Sequence, residues 1–250
     1  MKIIASLLIT ALAILFSSCG GGSAKSGKSS ESDSTFTADS IVKYYSNNLL
    51  LKEVTFKNGE RNGITKTYYQ GGQLYQTFWY VNGLREDSAR WFYLEGQLFR
   101  TTPFRHDTID GIQIQYYRNG RVKAKIGYKD GLRTTFFEEY GKDGKLVKGY
   151  PEIVSKEQDS YKTNGLYSIS LELSDKSTKV KFYRGQFTGE RFDTASCSSI
   201  KTVRGKATVI LRKTGKPHPA YLSVIAEITT LFGNKYLTSK KIDLPYNDLN

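Results

Sequence analysis

Residues 64–83 read ITKTYYQGGQLYQTFWYVNG, and this stretch decides the fold. Ile64 to Tyr69 is one run of strand-forming residues, Gln70-Gly71-Gly72 is a turn, Leu74 to Tyr80 is a second run, and Val81-Asn82-Gly83 is a second turn. Alternation with period two between turn residues marks β-strands. Asn-Gly favours a primed hairpin turn, because both of its central residues need positive φ and asparagine and glycine tolerate it. The stretch reads as a hairpin whose second strand turns directly into another.

The unit recurs every 24 residues. Asn48, Gly72, Gly96, Gly120 and Gly144 hold one column, and Leu50, Leu74, Leu98, Val122 and Leu146 a second. Phe56, Tyr80, Phe104 and Tyr128 form a third, and Tyr45, Tyr69, Tyr93 and Tyr117 a fourth. A fixed period of this length marks an array of supersecondary units. The expected architecture for residues 41–149 is an antiparallel meander of about nine strands, aromatic on both faces. Primed turns are expected at Asn58-Gly59, Asn82-Gly83, Asn119-Gly120, Asp130-Gly131 and Asp143-Gly144. The third unit has Asp107 where the others have glycine, and a different connection is expected there.

The pattern Tyr-x-x-Gly-x-Leu followed by aromatic-x-x-Gly resembles MORN repeats. Tyr69-Gln70-Gly71-Gly72-Gln73-Leu74 and Tyr117-Arg118-Asn119-Gly120-Arg121-Val122 carry the likeness. It is strongest to the bacterial variant, the kind often assigned to an antitoxin-type family. The resemblance implies a scaffold and names no activity.

Two readings attach to the aromatic columns. Tyr69, Tyr93 and Tyr117, with Trp79 and Trp91 nearby, could stack sugars, peptides or lipid edges. Cross-strand aromatic pairs also stabilise sheets by about 0.2–1 kcal/mol each. His106, Asp107 and Asp110 share one loop, a weak pattern for a metal site. No metal and no cofactor is expected.

The chain opens with Met1-Lys2, then an apolar or small-residue run from Ile3 to Phe16, then Ser17-Ser18-Cys19-Gly20. A positive start, a run below the ~20 residues of a spanning helix and small residues before a cut site define a secretion signal over 1–18. Phe16-Ser17-Ser18-Cys19 resembles the lipobox of bacterial lipoproteins, with Phe16 where leucine is usual. The resemblance implies lipidation of Cys19 and attachment to a membrane of the cell envelope. Gly20, where aspartate would retain the chain at the inner membrane, points to the outer one. Residues 19–40, rich in Gly, Ser, Lys and Asp, read as a tether.

Beyond the repeats, residues 150–165 show no pattern and read as a linker. From 166 to 250 strand signals return without the period: Tyr167, Ile169, Leu171 and Leu173 alternate, as do Val180 and Phe182, Ala207, Val209 and Leu211, and Leu222 to Ile228. Short strands between turn signals imply a small β-sandwich, placed to cover the last open edge of the repeat sheet. The fold class expected is therefore all-β, a repeat meander followed by a sandwich.

The formal net charge of +13 is spread along the chain without a polybasic block. Such a surface suits anionic partners such as lipid headgroups, lipopolysaccharide or acidic glycans, and an envelope protein is the other expected partner; nucleic acid is not an expected partner of an exported chain. With Cys19 lipidated, Cys197 has no partner and is either a buried small side chain or a lone thiol. No G-x-S-x-G, H-E-x-x-H, phosphate loop or C-x-x-C occurs, and the two histidines, His106 and His218, lie far apart. The expected function is non-catalytic: an interaction or scaffold module, or a binder of glycans or lipid headgroups.

Overall fold

The computed structural model describes residues 39–250. The secretion signal, Cys19 and nearly all of the tether lie outside the described residues. The chain from residue 40 pairs as a meander: β1 (Ser40–Ser46), β2 (Leu49–Lys57), β3 (Glu60–Tyr68), β4 (Leu74–Val81), β5 (Leu84–Phe92), β6 (Leu98–Arg105), the short β7 (Thr108–Ile109), β8 (Gly111–Tyr116), β9 (Val122–Lys129) and β10 (Leu132–Glu139). All neighbours are antiparallel, as the repeated turns require.

Two turn types alternate. Asn58-Gly59, Asn82-Gly83 and Asp130-Gly131 have positive φ at both residues, the primed geometry expected of them. At Asn119-Gly120 and Asp143-Gly144 only the glycine is left-handed. There the turn is longer, closed in the first case by Gly120 N–H to Tyr117 O and Tyr117 N–H to Arg121 O. Those two pairs correct the expectation of primed turns: a type I-like turn followed by one left-handed glycine needs no positive φ at the asparagine or aspartate.

The third unit supplies a second correction. His106 (φ 48°) and Asp107 (φ 63°) take the same left-handed pair of conformations without a glycine, and Arg105 faces Thr108 as Val81 faces Leu84. The connection is unchanged because neighbouring unit contacts hold it. Asp107 N–H donates to Arg85 O, and Arg85 N–H and Nε–H both donate to Asp107 Oδ1, at 3.0 and 2.7 Å. His106 N–H donates to Glu86 Oε1.

Register places two rows of side chains on opposite faces. On face A, Val54 faces Thr65, Thr65 faces Phe78, Ala89 faces Thr102, Gln113 faces Ile126 and Ile126 faces Phe137. Alternate members of this row are 24 residues apart, so one row of the array is built from one pair of columns. Val54, Ala89 and Thr102 are almost wholly buried, and Gln113 Nε2–H donates to Thr102 Oγ1. Face B carries a charged ladder: Lys43 faces Glu53, Glu53 faces Lys66, and Lys125 faces Glu138, each forming an ion pair.

Residues 150–165 are not a linker. β11 (Ile153–Ser160) is the first strand of the sandwich, and a single helical turn, α1 (Tyr161–Asn164), joins it to β12 (Leu166–Leu173). The strand was hidden because it is an edge strand; Ile153 alone among its residues is buried, and Val154, Lys156 and Gln158 are exposed. The remaining strands are β13 (Val180–Arg184), β14 (Arg191–Phe192), β15 (Ser198–Ile200), β16 (Thr202–Val203), β17 (Lys206–Arg212), β18 (Tyr221–Thr229) and β19 (Lys235–Asp243). One sheet runs β11-β12-β17-β16 and the other β15-β13-β18-β19. Their inner residues, including Ile169, Leu171, Phe182, Leu211 and Val224, form one core, so the alternating residues of the sequence are the buried ones.

β14 leaves the sandwich to pair with β10, Arg133 facing Phe192 and Thr134 facing Arg191. The sandwich thereby closes the C-terminal edge of the repeat sheet, as edge protection requires. The sheet has 11 strands with β7 and β14 counted.

Candidate functional site

The tyrosine column is a set of internal ties. Tyr69 Oη–H donates to Phe92 O at 2.8 Å, Tyr93 to Tyr116 O at 2.9 Å and Tyr117 to Tyr140 O at 2.7 Å. Each hydroxyl reaches one unit forward, to the residue just before the next column position. Tyr69 meets Tyr75 edge-on at 4.9 Å, and Tyr93 meets Phe99 at 5.1 Å. A half-buried ring with its hydroxyl on a backbone carbonyl is spent on the fold.

Trp79 and Trp91 do not join these rings in one open patch. Trp91 faces Gln76 and Arg100 on face A and is 9% exposed, with the Arg100 guanidinium 4.0 Å over its ring. Trp79 faces Ile64 and Glu86 on face B and is 46% exposed. Of the five residues singled out in the sequence, Trp79 is the one presented openly.

What face A does present is arginine on aromatic rings. Phe56 faces Arg61 and Tyr80 faces Arg85, in register with the aromatic column. Arg61 lies 5.6 Å from the centre of Tyr80, and Arg85 lies 4.5 Å from that of Phe104. Guanidinium over a ring is worth about 0.5–1 kcal/mol at an exposed site and more when desolvated. Arg85 is neutralised by Asp107, whose carboxyl that arginine holds below its ordinary range through hydrogen bonds. Among the described residues neither Arg61 nor Arg100 pairs with a carboxylate. Arg100 has its Nε buried without an acceptor, and burial pulls its pKa below the usual arginine value. The sequence signal for this row was available: Arg61, Arg85 and Arg133 share one column of the 24-residue period, with Ile109 in the remaining place.

At the junction with the sandwich, Glu139 is 1% exposed. Its Oε1 accepts from Thr230 Oγ1 at 2.9 Å and Asn234 Nδ2 at 2.7 Å. Phe137 and Tyr150 pack on Tyr236, Tyr150 stacking at 4.4 Å. Arg133 donates to Lys235 O, and Arg191 pairs with Asp130 at 2.8 Å. The sequence offers Glu139 only as half of the adjacent carboxylate pair Glu138-Glu139, whose members face opposite ways on a strand, and Glu138 indeed sits on face B with Lys125.

Other sites expected or considered fall out as follows. His106, Asp107 and Asp110 turn to Glu86, Arg85 and Arg105 respectively, and among the described residues no three His, Cys, Asp or Glu side chains converge on one point. Cys197 is a free thiol, half-buried against Phe192, Ile225 and Leu237. His218 lines a shallow cleft of about 210 Å³ at one end of the sandwich, where its N–H donates to Asn247 O. Among the described residues no helix is long and apolar enough to cross a membrane.

These features define a repeat sheet of β-hairpins tied forward from unit to unit, fastened at one end to a β-sandwich. The family model described as MORN repeat variant matches residues 61–82 and 109–130, the hairpins β3–β4 and β8–β9. Repeats of this kind are generally protein- or membrane-interaction modules. No curated protein matches the chain.

Proposed function

We propose that the chain is a non-catalytic interaction module of the bacterial cell envelope, held at a membrane by lipid on Cys19, with face A of the repeat sheet turned to an acidic protein partner. The contrast between the two faces supports this reading most. On face B Lys43, Lys66 and Lys125 are neutralised by Glu53 and Glu138, whereas Arg61 and Arg100 on face A are braced on rings and, among the described residues, lack carboxylates. Arginine on an aromatic platform is pre-organised for a carboxylate and is enriched among residues that dominate interfaces. The envelope setting rests on the resemblance of the first nineteen residues to a lipoprotein signal. The alternative, stacking of glycans or lipid headgroups on the aromatic columns, has one open ring to rest on, Trp79.

Two experiments test it. Cys19→Ala abolishes fatty-acid labelling and releases the protein from membranes; a variant still lipidated and membrane-bound refutes the anchor. Cross-linking in intact cells captures a partner that the double variant Arg61→Ala, Arg100→Ala loses, with capture weakening as salt rises. Absence of any enriched partner, or capture indifferent to both arginines, refutes the assignment of the face.

A further inference from the structure

Between the last repeat strand and the β18–β19 hairpin lies a cleft of about 260 Å³. Its floor holds Glu139 and its walls include Tyr150, Ile228 and Phe232; Leu231, fully exposed at the hairpin tip, forms part of its lining. Lys148 and Asp175 also line it, both exposed and of opposite sign.

The accepting capacity of Glu139 is met on one side only. Oε1 takes both short hydrogen bonds, from Thr230 and Asn234. Oε2 has a single long contact, with Tyr150 Oη at 3.5 Å. Each carboxylate oxygen can accept about two hydrogen bonds. All three donors are neutral, and among the described residues no lysine, arginine or histidine pairs with this carboxylate. Ser177, in the same cleft, has its Oγ buried with no hydrogen-bond partner. A buried carboxylate without a cation is costly, and a mostly apolar cleft with a few convergent polar atoms is the usual form of a ligand site.

From these atoms we infer that the cleft binds a primary alkylammonium, the charged end against Glu139 Oε2 and Ser177 Oγ and the alkyl chain along Tyr150, Ile228, Leu231 and Phe232. An ammonium has three donors, no acceptor and a compact shape. The volume lies below the ~300–1,000 Å³ of pockets for larger ligands, which suits one chain of side-chain length. The same chemistry comes from a free amine or from a lysine side chain of a partner. This inference is independent of the role given to face A.

Calorimetric titration of the full-length chain with n-hexylammonium, n-hexanol and N-acetyl-lysine methylamide tests it, with amide shifts of 15N-labelled protein locating the site. Hexylammonium is expected to bind at least tenfold more tightly than hexanol and to move the amides of Gly149 and Thr229–Phe232. Glu139→Gln, of equal size, removes that tenfold preference. Should Glu139→Gln fail to fold, Leu231→Ser, at a fully exposed position, still weakens hexylammonium severalfold. Binding of the lysine derivative at the same amides identifies a partner's side chain as the source, and binding of hexylammonium alone identifies a free amine. Hexanol binding as tightly as hexylammonium, neither amine moving the cleft amides, or an amine preference that survives Glu139→Gln, overturns the inference. So does an unchanged hexylammonium affinity in Leu231→Ser.

Discussion

Tyr93→Phe removes one oxygen from the repeat sheet and nothing else. The ring keeps its edge-on contact with Phe99 at 5.1 Å, while the 2.9 Å hydrogen bond from its hydroxyl to Tyr116 O is lost. A net hydrogen bond contributes about 0.5–1.5 kcal/mol, and leaving a buried acceptor unmet costs about 1–3 kcal/mol. Tyr93 is half-buried, so water recovers part of the loss, and about 1 kcal/mol is expected. The equivalent ties of Tyr69 and Tyr117 lie two strands to either side, roughly 10 Å away at sheet spacing, far enough for the losses to add. Tyr69→Phe, Tyr93→Phe and Tyr117→Phe together therefore cost about 3 kcal/mol, or roughly 6–12 °C in Tm for a chain of this size. Urea and thermal unfolding followed by circular dichroism measure it, with Tyr45→Phe as control. Tyr45 is 59% exposed, and its change is expected to stay within about 0.5 kcal/mol. A triple variant within about 1 kcal/mol of the parent sinks the argument that the column is structural, and returns these rings to the list of contacts for a ligand.

Three further outcomes follow from the same geometry. Glu139→Ala strips the acceptor from Thr230 and buried Asn234, costs about 1–3 kcal/mol, and raises amide hydrogen exchange in β10 and in the β18–β19 turn ahead of the sandwich core; uniform exchange across the chain contradicts a local fastening. Trp91→Ala empties a buried site beside Ala89 and Phe104 and costs about 3–5 kcal/mol in urea unfolding, where Trp79→Ala, on the open face, costs far less. Burial and the hydrogen bond to Glu53 push Tyr68 up to about 12. Because the folded value lies above the ordinary one of about 10, the contribution to stability is complete below pH 10 and is lost as pH rises through 12. Ultraviolet titration should show Tyr68 among several tyrosines that ionise late, Tyr150 being held up by burial as well, and Glu53→Gln should bring one of that late group lower; a late group unchanged by Glu53→Gln removes the basis for this window.

The hairpin array was legible because its evidence is redundant: four columns at one spacing agree on strand, turn and register. The buried face of each strand was less so. In β8, Ile112 is 46% exposed while Gln113 is buried, since Gln113 finds Thr102 across the row. Hydrophobicity alone misreads a sheet whose buried row includes threonine, alanine and glutamine, with Gln113 bonded to Thr102. The His106-Asp107 turn was misread for a related reason. Propensity asked for glycine, and the cost of two left-handed residues is offset by Arg85 and Glu86, which lie about 20 positions earlier in the chain. β11 escaped notice because its two apolar residues, Ile153 and Val154, are adjacent and cannot show a period. Arg100 and Glu139 are functional candidates only through what surrounds them, and neither sits in a motif.

A repeat sheet has two ends, and this chain treats them differently. At the C-terminal end the period cannot simply stop, because β10 would expose a full ladder of unpaired amides and carbonyls. The sandwich answers with β14, which places Phe192 opposite Arg133, so an aromatic side chain again faces an arginine of the column. Glu139 and Tyr150 then fix the two parts against Asn234 and Tyr236. At the other end, among the described residues, β1 pairs with β2 alone, and Ile41, Tyr44, Tyr45 and Leu49 are exposed. Its first turn is also tighter than its counterparts, with Asn47 and Asn48 both left-handed. The closed end is the one nature of contact cannot easily change without the sandwich unfolding, whereas the face between the ends, where arginines stand on rings, is free to meet a partner while the sheet stays intact. Variants at Arg61, which is exposed, should for that reason alter binding with little change in Tm, and variants at Glu139 should do the reverse for the face A partner. A stability loss from Arg61→Ala as large as that from Glu139→Ala contradicts this division of labour.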